Sequence, residues 1–183
     1  MIDSKEAAEA LADVHDIVQR VRQSQLYELA SLAALWWGGL VFAGNLATWL
    51  WPVQAGYTWV AVNILGVCGL VALRLFNPPR THGSAFDVRL PLVFLLFFAF
   101  GYVCTSVLGH FGPRQLGAFW PIYFMLFYTL AGLWFGTAFV AIGLGITALT
   151  LFGYFYIGEG FPLWMAFVNG GGLILGGLWM RRN

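Results

Sequence analysis

Between residues 115 and 158 the chain carries no charged side chain for forty-four residues. As one helix at about 1.5 Å per residue this stretch would reach about 66 Å, twice the roughly 30 Å hydrocarbon core of a bilayer. A single tilted span cannot absorb that length. The break falls at GLWFGT, residues 132–137, where two glycines and a threonine interrupt a run of Phe, Leu, Ile, Tyr and Ala. The stretch therefore reads as a hairpin of two membrane spans.

Composition extends that reading to the whole chain. With 60% hydrophobic and only 9% charged residues, and a mean hydropathy of +0.78, the chain lies far from a soluble domain, which carries about 25% charged residues. The expected fold class is all-α: a polytopic membrane protein of six transmembrane helices preceded by an amphipathic cytoplasmic helix. Two units follow, a helix over 1–25 and a single six-helix domain over 26–183.

The spans are expected at 26–51, 57–76, 90–110, 117–135, 138–157 and 161–180. Pro52 bounds the first, and the PVQAG link to the second is short enough to be a tight turn. Residues 77–89 (NPPRTHGSAFDVR) form the only polar loop of any length. Pro91 and Pro162 fall in first turns, where a missing N–H costs little. Six spans place both termini on one side. Lys5, Arg20, Arg22, Arg74, Arg80, Arg89, Arg181 and Arg182 all fall on that side, with only Arg114 opposite. This bias predicts cytoplasmic termini. Trp49, Trp51, Tyr57, Trp59, Trp120, Tyr154, Tyr156 and Trp164 then gather at the outer ends as an interfacial belt.

Eight of the seventeen charged residues lie in the first 22 positions. Asp3 with Glu6 makes a capping signature, and Arg20 with Arg22 suits the C-terminal end of a helix dipole. Ala7, Leu11, Val14, Val18 and Val21 recur every three or four residues as a narrow apolar stripe. It would lie against the cytoplasmic ends of the bundle, or form a partner-binding seam through Leu11, Val14, Val18 and Val21 for a second copy or another membrane protein. The segment's net charge of −2 argues against binding anionic lipid.

Several activities lack a required residue. The only lysine, Lys5, lies outside the spans, so a retinal Schiff base has no attachment point. His15, His82 and His110 cannot face one another across a haem. No GxSG accompanies a Ser-His pair for intramembrane proteolysis. Glu28, the one acid near a span, sits at the mouth of the first and reads as an interfacial carboxylate paired with a basic loop residue. Cys68 and Cys104 lie in apolar runs without a CxxC. No metal ligand set, phosphate loop or nucleic-acid-binding surface is present, and no enzyme or cofactor is expected.

The polar residues left inside the spans are small and uncharged. Asn45 and Asn63 lie about 9 Å from the outer ends and Asn169 about 12 Å. Thr105, Ser106, Tyr123 and Thr150 share that band. Two readings stay open. These groups satisfy one another as interhelical hydrogen bonds, or Asn45, Asn63, Tyr123 and Asn169, walled by Trp59 and Trp164, line an outward-facing pocket for a small, largely uncharged or hydrophobic ligand. The corresponding functions are a binding or transport module and a non-transporting scaffold or regulatory subunit acting through the N-terminal helix. Glycines 143, 145, 170, 171, 172, 176 and 177 mark faces where backbones can approach closely.

An acidic N-terminal helix ahead of WWGGLVFAGN in the first span, with a closing LWMAFVNGGGLILGGLWMRR, resembles a broad group of small bacterial six-span inner-membrane proteins. The resemblance implies a bacterial inner-membrane location and no assigned activity. A looser similarity links the chain to the substrate-binding S-components of energy-coupling-factor vitamin transporters, also six-span and of about this size. Their AxxxA on the first span, matched by Ala30 and Ala34, implies a docking face for a coupling subunit.

Overall fold

The computed structural model describes residues 4–76 and 89–182, the backbone alone through most of 4–26. Every described element is helical: α1 (Ser4–Leu50), a 3-10 turn (Pro52–Gln54), α2 (Ala55–Phe76), α3 (Arg89–Val107), α4 (Pro113–Phe135), α5 (Thr137–Tyr156) and α6 (Phe161–Arg182). Five of these contain segments long and apolar enough to cross a bilayer: Tyr27–Leu50, Pro52–Leu73, Pro113–Phe135, Thr137–Tyr156 and Phe161–Arg182. The chain is an all-α polytopic membrane protein. In α3 the apolar portion is the shorter Leu95–Val107, so the sixth crossing is not established by length. The polar loop expected at 77–89 falls, but for Arg89, outside the described residues.

Helix ends follow local chemistry. Pro52 disfavours helical geometry at the residue before it, and Trp51 duly leaves the helix at φ −131°, ψ 71°. Pro113 opens α4, with Gln115 Oε1 accepting from the Gly112 N–H at 2.8 Å. Inside α4, Pro121 cannot donate to the carbonyl of Gly117, a cause of local bending. The break expected across 132–137 narrows to one residue. Gly136, at φ 133° and ψ 158°, links α4 to α5 alone. That conformation is open essentially only to glycine.

The expected boundary between residues 25 and 26 has no backbone counterpart, because α1 runs unbroken through it. A change from polar to apolar side chains is not a helix breaker, and no glycine or proline stands near that point. Leu11, Val18 and Val21 fall outside the residues whose side chains are described. Val14 is 56% exposed, so at that position the stripe does not pack on this bundle.

The centre of the molecule is built by α1, α4, α5 and α6. Ala34, Met125, Phe139, Ile142, Ile146, Leu173 and Met180 form its main buried cluster. Close approach rests on glycine. A β-carbon on Gly170 would stand 2.6 Å from backbone atoms of Phe42, and one on Gly38 would stand 2.9 Å from the Gly170 carbonyl oxygen. Gly143 meets Met125 and Thr129, while Gly172 and Gly176 meet Ile146 and Ile142. Gly145 and Gly171 instead face open space. In lipid, where apolar side chains gain nothing by leaving the solvent, such contacts and interhelical hydrogen bonds hold helices together. Ser31, almost fully buried, donates to the Gly177 carbonyl at 2.7 Å.

The other two helices sit outside this group. α2 packs on α1, with Trp37 and Trp36 lying over Gly66 and Gly69. α3 packs on α4 through stacked rings, Phe97 on Tyr123 at 4.1 Å and Phe98 on Trp120 at 4.9 Å.

Candidate functional site

The polar side chains expected to form one layer find different partners. Asn45 Nδ2 donates to the Val41 carbonyl at 2.9 Å and Asn63 Nδ2 to the Trp59 carbonyl at 2.7 Å, each one turn back in its own helix. Thr48, Ser106, Thr129 and Thr147 do the same. Back-bonding of this kind spends a donor locally, with no second helix required. Asn169 and Thr150 differ. Both are buried, and neither Asn169 Oδ1 nor Thr150 Oγ1 has a hydrogen-bond partner.

Interhelical hydrogen bonds come instead from aromatic, serine and arginine donors onto backbone carbonyls. Trp36 Nε1 reaches Leu65 O at 3.3 Å, Trp164 Nε1 reaches Leu149 O at 3.0 Å, and the Tyr123 hydroxyl reaches Phe97 O at 3.0 Å. Sequence reasoning overlooked Ser31 and Trp36. For Trp36 a signal existed in the two glycines, Gly66 and Gly69, spaced to receive indole rings.

Two hollows open on the bundle surface. One, of about 340 Å³, lies between α4 and α5 and is lined by Phe119, Ile122, Tyr123, Leu126, Thr129, Leu144 and Thr147. The other, of about 460 Å³, lies between α3 and α4 and is lined by Val93, Leu96, Phe97, Phe100 and Tyr123. Tyr123 stands between them and contributes to both. Asn45, Asn63, Asn169, Trp59 and Trp164 line neither. Trp59 packs instead against Gly44, and Trp164 lies over Gly153.

Tyr123 owes its position to a run of rings. It stacks on Phe97 on one side and on Phe119, 5.4 Å away, on the other. Trp120 packs edge-on at 6.2 Å and Phe124 continues the cluster. The phenol is thereby held upright in an apolar wall, its proton committed to the Phe97 carbonyl. The other two hydroxyls of the α4–α5 hollow, Thr129 and Thr147, are committed to their own helices. The surface left for a ligand is almost wholly hydrocarbon and aromatic.

At the α5–α6 turn Arg114 donates to the carbonyls of Tyr154 and Ile157, and its guanidinium lies 5.5 Å from the ring centres of Tyr154 and Phe161. It closes the C-terminal end of α5, where a cation is favourable. Glu28 is exposed at the start of the first span and has no ion-pair partner among the described residues. Also among the described residues, no three His, Cys, Asp or Glu side chains gather where a metal ion could be held.

No protein-family model matches the chain, and neither a curated protein nor a solved structure does.

Proposed function

We propose that this membrane protein binds a small hydrophobic molecule dissolved in the bilayer, at the paired hollows on either side of Tyr123. The observation that carries this reading is the shared wall. One phenol, fixed by two ring stacks and a hydrogen bond, lines two apolar hollows. Volumes of about 340 and 460 Å³ fall in the range of small-molecule sites, usually about 300–1,000 Å³. Entry is then sideways from lipid rather than through a pocket open to water, and the residues act by shape and stacking rather than by catalysis. In the orientation favoured by the basic residues, the chain sits in a bacterial inner membrane with both termini cytoplasmic.

The test is a photoreactive hydrophobic probe added to the purified full-length protein in lipid nanodiscs. Crosslinks are expected at Phe119–Leu126 and Val93–Phe100, and those at the α4–α5 hollow are expected to fall several-fold in Leu126→Trp, which fills it. Labelling of α2 as strong as that of those two segments would overturn the reading.

A second reading is favoured by α1. Its continuous course from Ser4 to Leu50, with Val14 exposed, suits a scaffold that presents its N-terminal half to a partner protein. Removal of residues 1–20 would then abolish partner capture while leaving probe labelling intact.

A further inference from the structure

Within α6 the residues Ala166–Gly171 (AFVNGG) form a π-helical segment flanked by α-helix. A return from i→i+5 to i→i+4 bonding skips one carbonyl, which is left without a helical donor. Asn169 lies in this segment and is 6% exposed, with Oδ1 unpartnered. Thr150, on α5, is wholly buried with Oγ1 unpartnered. Antiparallel counting brings the two to one level. Gly172 meets Ile146, one turn from Thr150, and Trp164 covers Gly153 on the other side. No hydrogen bond joins them. Of the glycines beside Asn169, Gly170 receives Phe42 of α1 and Gly172 receives Ile146 of α5, while Gly171 faces open space.

We propose that Asn169, Thr150 and the π segment together form a site for one small neutral hydrogen-bond donor, a single internal water molecule. It donates to Asn169 Oδ1 and exchanges a hydrogen bond with the Thr150 hydroxyl. The donor set decides the class. Asn169 Oδ1 only accepts, so the occupant must donate. A bare cation is disfavoured by charge. Between Thr137 and Met180 the sole charged side chain is Glu159, in the α5–α6 turn, so nothing at this depth would balance it. The site stands apart from the hollows at Tyr123, and its failure would leave the ligand reading untouched.

The sign of a stability change tests it. In the full-length protein in detergent, unfolding midpoints are compared for Thr150→Val, Thr150→Ser and Asn169→Leu. If a water is held, Thr150→Val lowers the midpoint, Thr150→Ser keeps it near wild type, and the Thr150→Val/Asn169→Leu double falls no further than the worse single. If the two oxygens are merely orphaned, removing a buried hydroxyl raises the midpoint, and that result overturns the proposal. Should Asn169→Leu not fold, the Val and Ser variants at position 150 decide alone. A loss in Thr150→Ser equal to that in Thr150→Val would overturn it, as would a midpoint that shifts when sodium replaces potassium, the signature of a bound cation.

Discussion

Half of the apolar window of α6 is buried inside the protein, against 11% of that of α2, although α2 is the more hydrophobic, with a hydropathy of 1.7 against 1.4. In water that order would be reversed. In lipid, apolar side chains are equally at home facing acyl chains or protein, so hydropathy chooses the bilayer and leaves the neighbour undecided. The neighbour is chosen by small residues. Four of α6's glycines, 170, 172, 176 and 177, receive side chains or backbone of α1 and α5. Of the three glycines of α2, Gly66 and Gly69 are taken by tryptophans of α1 and Gly56 faces open space.

The sharpest way to break this contrast is to fill one glycine in the centre. Gly170→Leu forces bulk onto the backbone of Phe42 and is expected to cost about 3 kcal/mol or more, at the upper end of overpacking penalties. The measurement is folded yield and unfolding midpoint in detergent, with Gly56→Ala on α2, where nothing stands within 4 Å, as the neutral comparison. Next in size is Gly136→Ala at the α4–α5 link. A side chain in that backbone conformation costs about 1–3 kcal/mol, and chemical denaturation should register the loss without a change in helix content. Ser31→Ala removes the bond to the Gly177 carbonyl at the α1–α6 seam. An interhelical bond of this kind is worth about 0.6 kcal/mol and at most about 1.7, readable as a shifted midpoint. Smallest of all is Val71→Ala on the open face of α2, expected to stay within about 0.5 kcal/mol. A loss there as large as at Ser31 would mean that α2 is covered by protein, a second copy included, rather than by lipid.

Most of the architecture was legible because charge, proline and length are strong signals in a membrane chain. The span limits expected at 117–135 and 138–157 lie within a few residues of Pro113–Phe135 and Thr137–Tyr156. Three things were not legible. The continuity of α1 was hidden because a polarity change at residue 26 resembles a boundary though the backbone has no reason to stop. The π segment was hidden because the run Asn169–Gly172 signals loosened helix in general without fixing a hydrogen-bond register. The partners of the amides were hidden because Asn45 and Asn63 each had an acceptor one turn away, and depth counting cannot see rotamers. Of the residues expected to contact a ligand, Tyr123 alone lines the hollows, since it is the one placed by rings as well as by depth.

The unbroken course of α1 has a mechanical consequence. At about 1.5 Å per residue the portion before Tyr27 extends about 35 Å beyond the first span, and the whole helix about 70 Å. With no hinge between, the part outside the span is a lever whose fulcrum is the Gly38–Gly170 crossing. A tilt of about 10° displaces its tip by about 9 Å on the arm of about 51 Å from Gly38 to Ser4, so a push at the N-terminus arrives in the middle of the bundle as torque, at the level of the π segment.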